Sequence, residues 1–143
     1  MNLKHQMQKH PISYKKRSTT RRGQALVEFA LLLPLMILIL IGATDLGRAF
    51  QAYIAVINAS REGARQGAIN PENQDLMIAA AVQEAQDYDI SISTSDVTVT
   101  CSSTPCPQYQ PIRVEVCYDF QLILRAFISQ PIAICRYTEM MAK

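Results

Sequence analysis

Arg21-Arg22-Gly23-Gln24-Ala25-Leu26-Val27-Glu28-Phe29, followed by the apolar run Ala30 to Thr44, decides how this chain is read. A basic stretch meets a Gly-Gln junction, and one carboxylate then stands in the first turns of an otherwise uncharged helix. A carboxylate deep in a bilayer costs on the order of 3 kcal/mol or more, so it calls for a partner. The natural partner is a new amino group, created by cutting after Gly23. That pairing predicts a chain trimmed at the membrane and then assembled with others.

Before that junction the residues are basic. Seven of the fourteen Lys and Arg lie in residues 1–23 (Lys4, Lys9, Lys15, Lys16, Arg17, Arg21, Arg22), with no acid among them, so this leader carries +7. Seven basic and twelve acidic groups remain, which leaves −5 for the rest and +2 overall. A basic leader ahead of an apolar run reads as a positive-inside anchor, with its N-terminus cytoplasmic. A nucleic-acid arm is disfavoured, because the acidic remainder repels phosphates. The 143 residues suffice for one membrane segment and one small domain.

Residues 29–44 contain no charged side chain. At ~1.5 Å per residue they span roughly 24 Å, or roughly 32 Å counted from Gln24, enough for a hydrocarbon core with Glu28 near the cytoplasmic interface. Pro34 cannot donate to the carbonyl of Ala30, so a modest kink is expected there. A cleaved secretory signal would place small residues after the run, and Gly42-Ala43-Thr44 offers a weak match. Against it, the helical pattern continues. Leu46, Phe50, Tyr53, Ile57 and Ala64 form an apolar stripe. Ala43, Gly47, Ala55, Ala59, Gly63 and Gly67 form a row of small residues that permits close approach of another backbone. Both stripes can pack on the chain's own distal domain or on neighbouring subunits. From Gln24 to about Gln66 the helix would reach ~65 Å. Asn70-Pro71 ends it, because the residue before Pro is pushed out of helical dihedrals.

Three blocks carry a family resemblance: Gly23-Gln24-Ala25-Leu26-Val27-Glu28-Phe29-Ala30-Leu31-Leu32-Leu33-Pro34, Asp45-Leu46-Gly47-Arg48, and Ala59-Ser60-Arg61-Glu62-Gly63-Ala64-Arg65. Together they resemble the TadE-like family, pseudopilins of the Tad (Flp) pilus system that include the minor pseudopilins TadE and TadF. The likeness covers residues 21–68 well. Beyond them it rests on a Cys-bearing strand pattern and the tail Thr138-Glu139-Met140-Met141.

The resemblance implies cleavage by a membrane prepilin peptidase at Gly23–Gln24. Glu28 would then be fifth in the mature chain and Phe29 the aromatic that follows it. A Gly before the cut obstructs nothing and adopts extended backbone readily. In an assembly Glu28 would pair with the α-amino group of Gln24 on an adjacent subunit and set axial register. The bland alternative is a carboxylate that snorkels to headgroups. Arg61, Glu62, Gly63, Ala64 and Arg65 would form a docking motif, or simply a solvated face, since a surface pair such as Glu62 with Arg65 contributes little to stability. The implied partners are the prepilin peptidase, other pilins and pseudopilins, the inner-membrane assembly platform and the lipid bilayer, with no nucleic acid.

Residues 67–143 make a core small enough to need staples. Leu76 to Gln86 reads as a short helix. Asp96-Val97-Thr98-Val99-Thr100-Cys101 alternates like a strand. Ile112, Val114, Val116, Tyr118, Phe120, Leu122 and Leu124 share one face of a longer strand, opposite Arg113, Glu115, Cys117 and Asp119. A third strand is expected over Ile132 to Tyr137. All four cysteines lie beyond the apolar run, on the oxidising side of a bacterial envelope if the leader stays inside, which favours two disulfides. Zinc is the rival reading. The intervals of four, ten and seventeen residues offer no second close pair and no nearby His. Of three possible connectivities, Cys101–Cys106 and Cys117–Cys135 are preferred: the first closes a loop between strand ends and the second joins the middle strand to the last.

The expected fold is therefore α+β: a long N-terminal transmembrane, pilin-like helix, then a small disulfide-bonded antiparallel sheet domain with a short helix. The expected boundaries are a cleaved leader 1–23, a transmembrane helix 24–44, its extracytoplasmic extension 45–69 and a periplasmic domain 70–143. No catalytic constellation is visible. His5 and His10 lie in the leader, and there is no phosphate loop and no nucleophile–His pair. No enzyme, cofactor or metal is expected. A permanently anchored protein with a periplasmic protein-binding domain is the alternative to a pseudopilin, and a secreted domain released by signal peptidase is a third reading.

Overall fold

The computed structural model describes residues 20–123 and 130–143. The first nineteen residues of the basic leader, and Leu124 of the expected long strand, lie outside them. The chain forms two compact units, Met1–Ile37 and Leu38–Lys143. Helix α1 covers Thr20–Ile69, with Pro34 inside it. In the first unit its apolar side chains, from Leu26 to Ile37, are exposed.

In the second unit α1 is followed by helix α2 (Gln74–Asp87), a 3-10 turn (Thr94–Asp96) and strands β1 (Val97–Thr100), β2 (Pro111–Phe120) and β3 (Ile132–Met141). The strands form one antiparallel sheet in the order β1-β2-β3. The α+β architecture read from the sequence is the one observed.

Local chemistry sets the element ends. Helix α1 stops where Asn70 precedes Pro71, and the Asn70 N–H closes the last turn onto the Gln66 carbonyl at 2.8 Å. Asn73 caps α2 by accepting from the Leu76 N–H at 3.1 Å. The Asp96 carboxylate accepts from both the N–H and the hydroxyl of Ser93 at 2.7 Å. That cap holds Asp96 in the turn, so β1 starts one residue later than its alternation suggests.

Two further strand boundaries differ from expectation. Strand β2 ends at Phe120 rather than continuing to Leu124. The backbone beyond it is taken by helix side chains: Arg48 donates to the Gln121 carbonyl and Asp45 accepts from the Ile123 N–H. Strand β3 runs to Met141, four residues past Tyr137. Its last four residues pair with Pro111–Val114, and Arg113 bonds the opposed Glu139 at 2.8 Å. That cross-strand ion pair lets an acidic residue stand in the strand.

The core lies between α1, α2 and one face of the sheet. Its largest fully buried side chains are Phe120, Met77, Ile112, Val56, Val114 and Val116. From α1 it takes mainly small residues: Ala52, Ala55, Ala59, Gly63, Ala64 and Gly67 are buried. A Cβ on Gly63 would meet Val114 Cγ1 at 3.0 Å and the Met77 carbonyl oxygen at 3.1 Å, and one on Gly67 would meet Met77 Sδ at 3.0 Å. Glycine is what allows α2 and β2 to approach this closely.

The small-residue row thus packs on the chain's own domain over 55–67, while Ala43 and Gly47 are exposed. The larger apolar stripe does not pack on this domain at its start. Leu46 and Phe50 are 73% and 65% exposed, and only Ala64 of that stripe is fully buried. The buried arc passes through Asp45, Ala52 and Ala59, a seven-residue spacing. At ~100° per residue, Leu46 and Phe50 point away from it.

Cys101 lies at disulfide distance from Cys106, and Cys117 from Cys135, with Cα separations of 5.4 and 4.1 Å. Cys117 and Cys135 are direct partners in the β2–β3 register, so the second bridge links adjacent strands.

Candidate assembly helix and its flanking motifs

The first-unit part of α1 presents the residues singled out at the junction. Gly23 and Gln24 are both helical. Gln24 Nε2 donates to Glu28 Oε1 at 3.2 Å, one helical turn away. In the uncut chain the carboxylate therefore has an amide donor on its own helix. Phe29, 63% exposed, follows it. The segment Gly23–Ile69 is long and apolar enough, by length and composition, to cross a membrane, and its most apolar stretch is not buried by the protein. One such helix fits a single-pass anchor.

The two later motifs both lie in the second unit. Asp45 is 4% exposed, and its carboxylate is central to a clasp. Both of its oxygens accept from the Ile123 N–H at 3.0 Å, and Arg48 donates to Oδ1 at 3.1 Å. Arg48 also reaches the Gln121 carbonyl at 3.3 Å, and its guanidinium stands 5.2 Å from the Phe120 ring centroid. A buried carboxylate is tolerable because charge-assisted hydrogen bonds replace its water. Sequence reasoning quoted Asp45 and Arg48 without giving them a role. The available signal was an acid at the first position after an uncharged run, followed one turn later by a base.

The motif at 61–65 divides by helical face. Gly63 and Ala64 are buried in the core, whereas Arg61 and Arg65 are exposed. Arg65 Nε donates to Glu62 at 2.7 Å, and Gln66 adds a longer bond. The Arg65 hydrogen bonds hold the Glu62 carboxyl below its usual range, with partial desolvation opposing them. Arg61, Glu62 and Arg65 line a shallow opening of about 350 Å³ with Glu84, Tyr88 and Met140. One turn earlier, Ser60 lies buried with its hydroxyl 2.8 Å from that of Thr138 on β3.

Among the described residues, one cluster brings candidate metal-ligand atoms together. Glu115, Cys117 and Cys135 place ligand atoms within 4.8 Å of one another, but the two sulfurs are joined in a disulfide and offer no thiolate. An opening of about 550 Å³ near the clasp is polar, lined by Arg48, Ser91, Asp96 and Asp119 among others.

No curated protein and no solved structure matches this chain. A family model described as TadE-like protein matches residues 23–65. The match begins at the glycine of the junction and runs through the Asp45–Arg48 clasp to Arg65. Residues 23–65, less than half of the chain, are therefore similar to TadE-like proteins, the family their motifs resemble.

Proposed function

We propose that this chain is a minor pseudopilin-like subunit of a Tad (Flp) type pilus or a related secretion apparatus. The TadE-like match over residues 23–65 carries this reading, because the matched region opens on the Gly-Gln junction and holds the apolar helix. In this reading residues 1–23 are a cytoplasmic leader, 24–44 cross the inner membrane, 45–69 extend the helix and 70–143 form a periplasmic domain. A prepilin peptidase hydrolyses the Gly23–Gln24 bond. Water adds across it, the leader leaves with a new carboxylate on Gly23, and Gln24 gains a free α-amino group. The protein is the substrate of that reaction and needs no cofactor.

The new amino group is positive and lies one helical turn from Glu28. In a bundle of such helices the Glu28 carboxylate pairs with the α-amino group of Gln24 on a neighbouring protomer. The pair removes the cost of an unpartnered carboxylate in a low-dielectric setting and fixes the axial offset of the subunits. Pro34 is tolerated in the span because neighbouring helices help satisfy the carbonyl it frees. The exposed Arg61 is available to other pilins or to the assembly platform.

The test is Glu28→Ala in cells that build the apparatus. Membrane fractionation should show normal insertion, while fibres or co-purifying complexes are lost or the leader is retained. Normal fibres from the mutant would refute the pairing.

A further inference from the structure

One end of the domain is fixed at the level where α1 stops being apolar. The uncharged run ends at Thr44, and the next residue, Asp45, binds the Ile123 N–H. Arg48, one turn on, binds the Gln121 carbonyl and stands over Phe120, the last residue of β2. Ile132, the first residue of β3, is the register partner of Phe120. The opposite end of the sheet is fixed as firmly. Lys143 donates its N–H to the Ala68 carbonyl at 3.0 Å, and Ala142 accepts from the Tyr109 N–H. The strands therefore run lengthwise beside α1, from the level of Asp45 to that of Ala68. At ~1.5 Å per residue these levels are roughly 34 Å apart.

We propose that the end of the domain bearing Ile123 and Ile132, at the level of Leu46 and Phe50 of α1, is a lipid-contacting surface that rests in the headgroup layer of the membrane that α1 leaves. This rests on the reading that the apolar run crosses a bilayer. The four side chains are 54%, 48%, 73% and 65% exposed. Exposure alone does not mark the surface, because Ile69 at the far end is 56% exposed. Level marks it. The headgroup layer is roughly 5–7 Å deep on each side of the hydrocarbon core. Ile123 is tied to Asp45, at its inner boundary. Phe50 lies five residues farther on, ~7.5 Å along the helix and near the outer boundary. Apolar groups held at that depth exchange water for the acyl–headgroup boundary. The contact is apolar rather than charge-led, since Asp45 is next to Arg48 and Asp119 faces the same opening. Zwitterionic lipid therefore suffices as a partner. The clasp acquires a purpose in this arrangement: it keeps Ile123 and Ile132 at the level of Asp45 and Arg48.

The chain contains no tryptophan, so one introduced indole reports a single position. Ile123→Trp, Ile132→Trp, Ile69→Trp and Ile37→Trp are made separately in the full chain and reconstituted in phosphatidylcholine vesicles. Quenching by lipids brominated high on the acyl chain is compared with quenching by aqueous iodide. Trp at 37 should be lipid-quenched and shielded from iodide, as a residue of the span. Trp at 123 and at 132 should be quenched by brominated lipid several-fold more than Trp at 69, and the ratio should not change with ionic strength. If Trp at 37 is lipid-quenched while both 123 and 132 behave like 69, the surface is wrong and the span stands. If Trp at 37 is itself quenched only by iodide, the span fails and the surface falls with it.

Discussion

Replacing Gly63 by alanine adds one methyl group where α1, α2 and β2 meet. An ideal Cβ there stands 3.0 Å from Val114 Cγ1, 3.1 Å from the Met77 carbonyl oxygen and 3.2 Å from Ala81 Cβ. The valine methyl can rotate away, but the carbonyl is part of the α2 backbone and cannot, so α2 must shift. Overpacking of this kind costs ~1–3 kcal/mol. Helix propensity works the other way, because alanine in place of a mid-helix glycine gains ~1 kcal/mol. The net expectation is a loss of roughly 0–2 kcal/mol. Gly47→Ala is the matched control: it lies on the same helix, and among the described residues nothing comes within 4 Å of its added Cβ. It should gain ~1 kcal/mol from propensity alone. The two variants therefore differ by roughly 1–3 kcal/mol, which for a domain of this size separates their melting temperatures by at least ~4 °C. Thermal unfolding of the full chain in mild detergent, followed by circular dichroism, reads that gap. A Gly63→Ala protein that melts at or above the Gly47→Ala protein would refute the close-approach argument.

The two disulfides should differ in weight. With sequence separations of 18 and 5, the chain-entropy relation gives ~3 kcal/mol for Cys117–Cys135 and ~2 kcal/mol for Cys101–Cys106, to be compared by urea unfolding of the two double-serine variants. Intact-mass analysis of the native protein should show four fewer hydrogens than the reduced form, and four free thiols would contradict the pairing. Acid should weaken the start of β1. The Ser93 backbone N–H, then its hydroxyl, lower the Asp96 carboxyl below its usual value. A carboxyl lowered in the folded state stabilises above its unfolded value, and that contribution is lost as pH falls through the folded one. Asp96→Asn should therefore be less stable than the parent at pH 7 and converge with it once the pH falls below the lowered folded-state value. A stability difference that persists unchanged at low pH would show that the cap does not depend on charge.

Legibility followed periodicity and failed where a single contact decided. The apolar run, the Asn70-Pro71 stop, the helix before the sheet and the alternation of Ile112, Val114 and Val116 are local patterns, and each names its element without knowledge of the rest. Leu46 and Phe50 are apolar and four apart, which suits packing on either the distal domain or a neighbouring subunit. The structure instead buries the arc through Ala52 and Ala59, where small side chains let the sheet come close. A larger residue is the stronger hydrophobic signal but the poorer fit. The end of β2 was equally hidden, since Leu122 and Leu124 extend its alternation. What stops the strand is Asp45 and Arg48, more than seventy residues earlier, capturing its backbone. Strand β3 exceeded its expected length because Glu139, unpromising alone, stands opposite Arg113. Of the candidate functional residues, Gly63 and Ala64 turn out to serve the core, while Arg61 on the same motif stays exposed.

Mass spectrometry of the mature N-terminus, in cells with and without a prepilin peptidase, tests the account at its centre. The account predicts a chain that begins at Gln24 when the peptidase is present and keeps residues 1–23 when it is absent. A chain that keeps its leader in cells actively making fibres, or one that begins near Asp45, would contradict it.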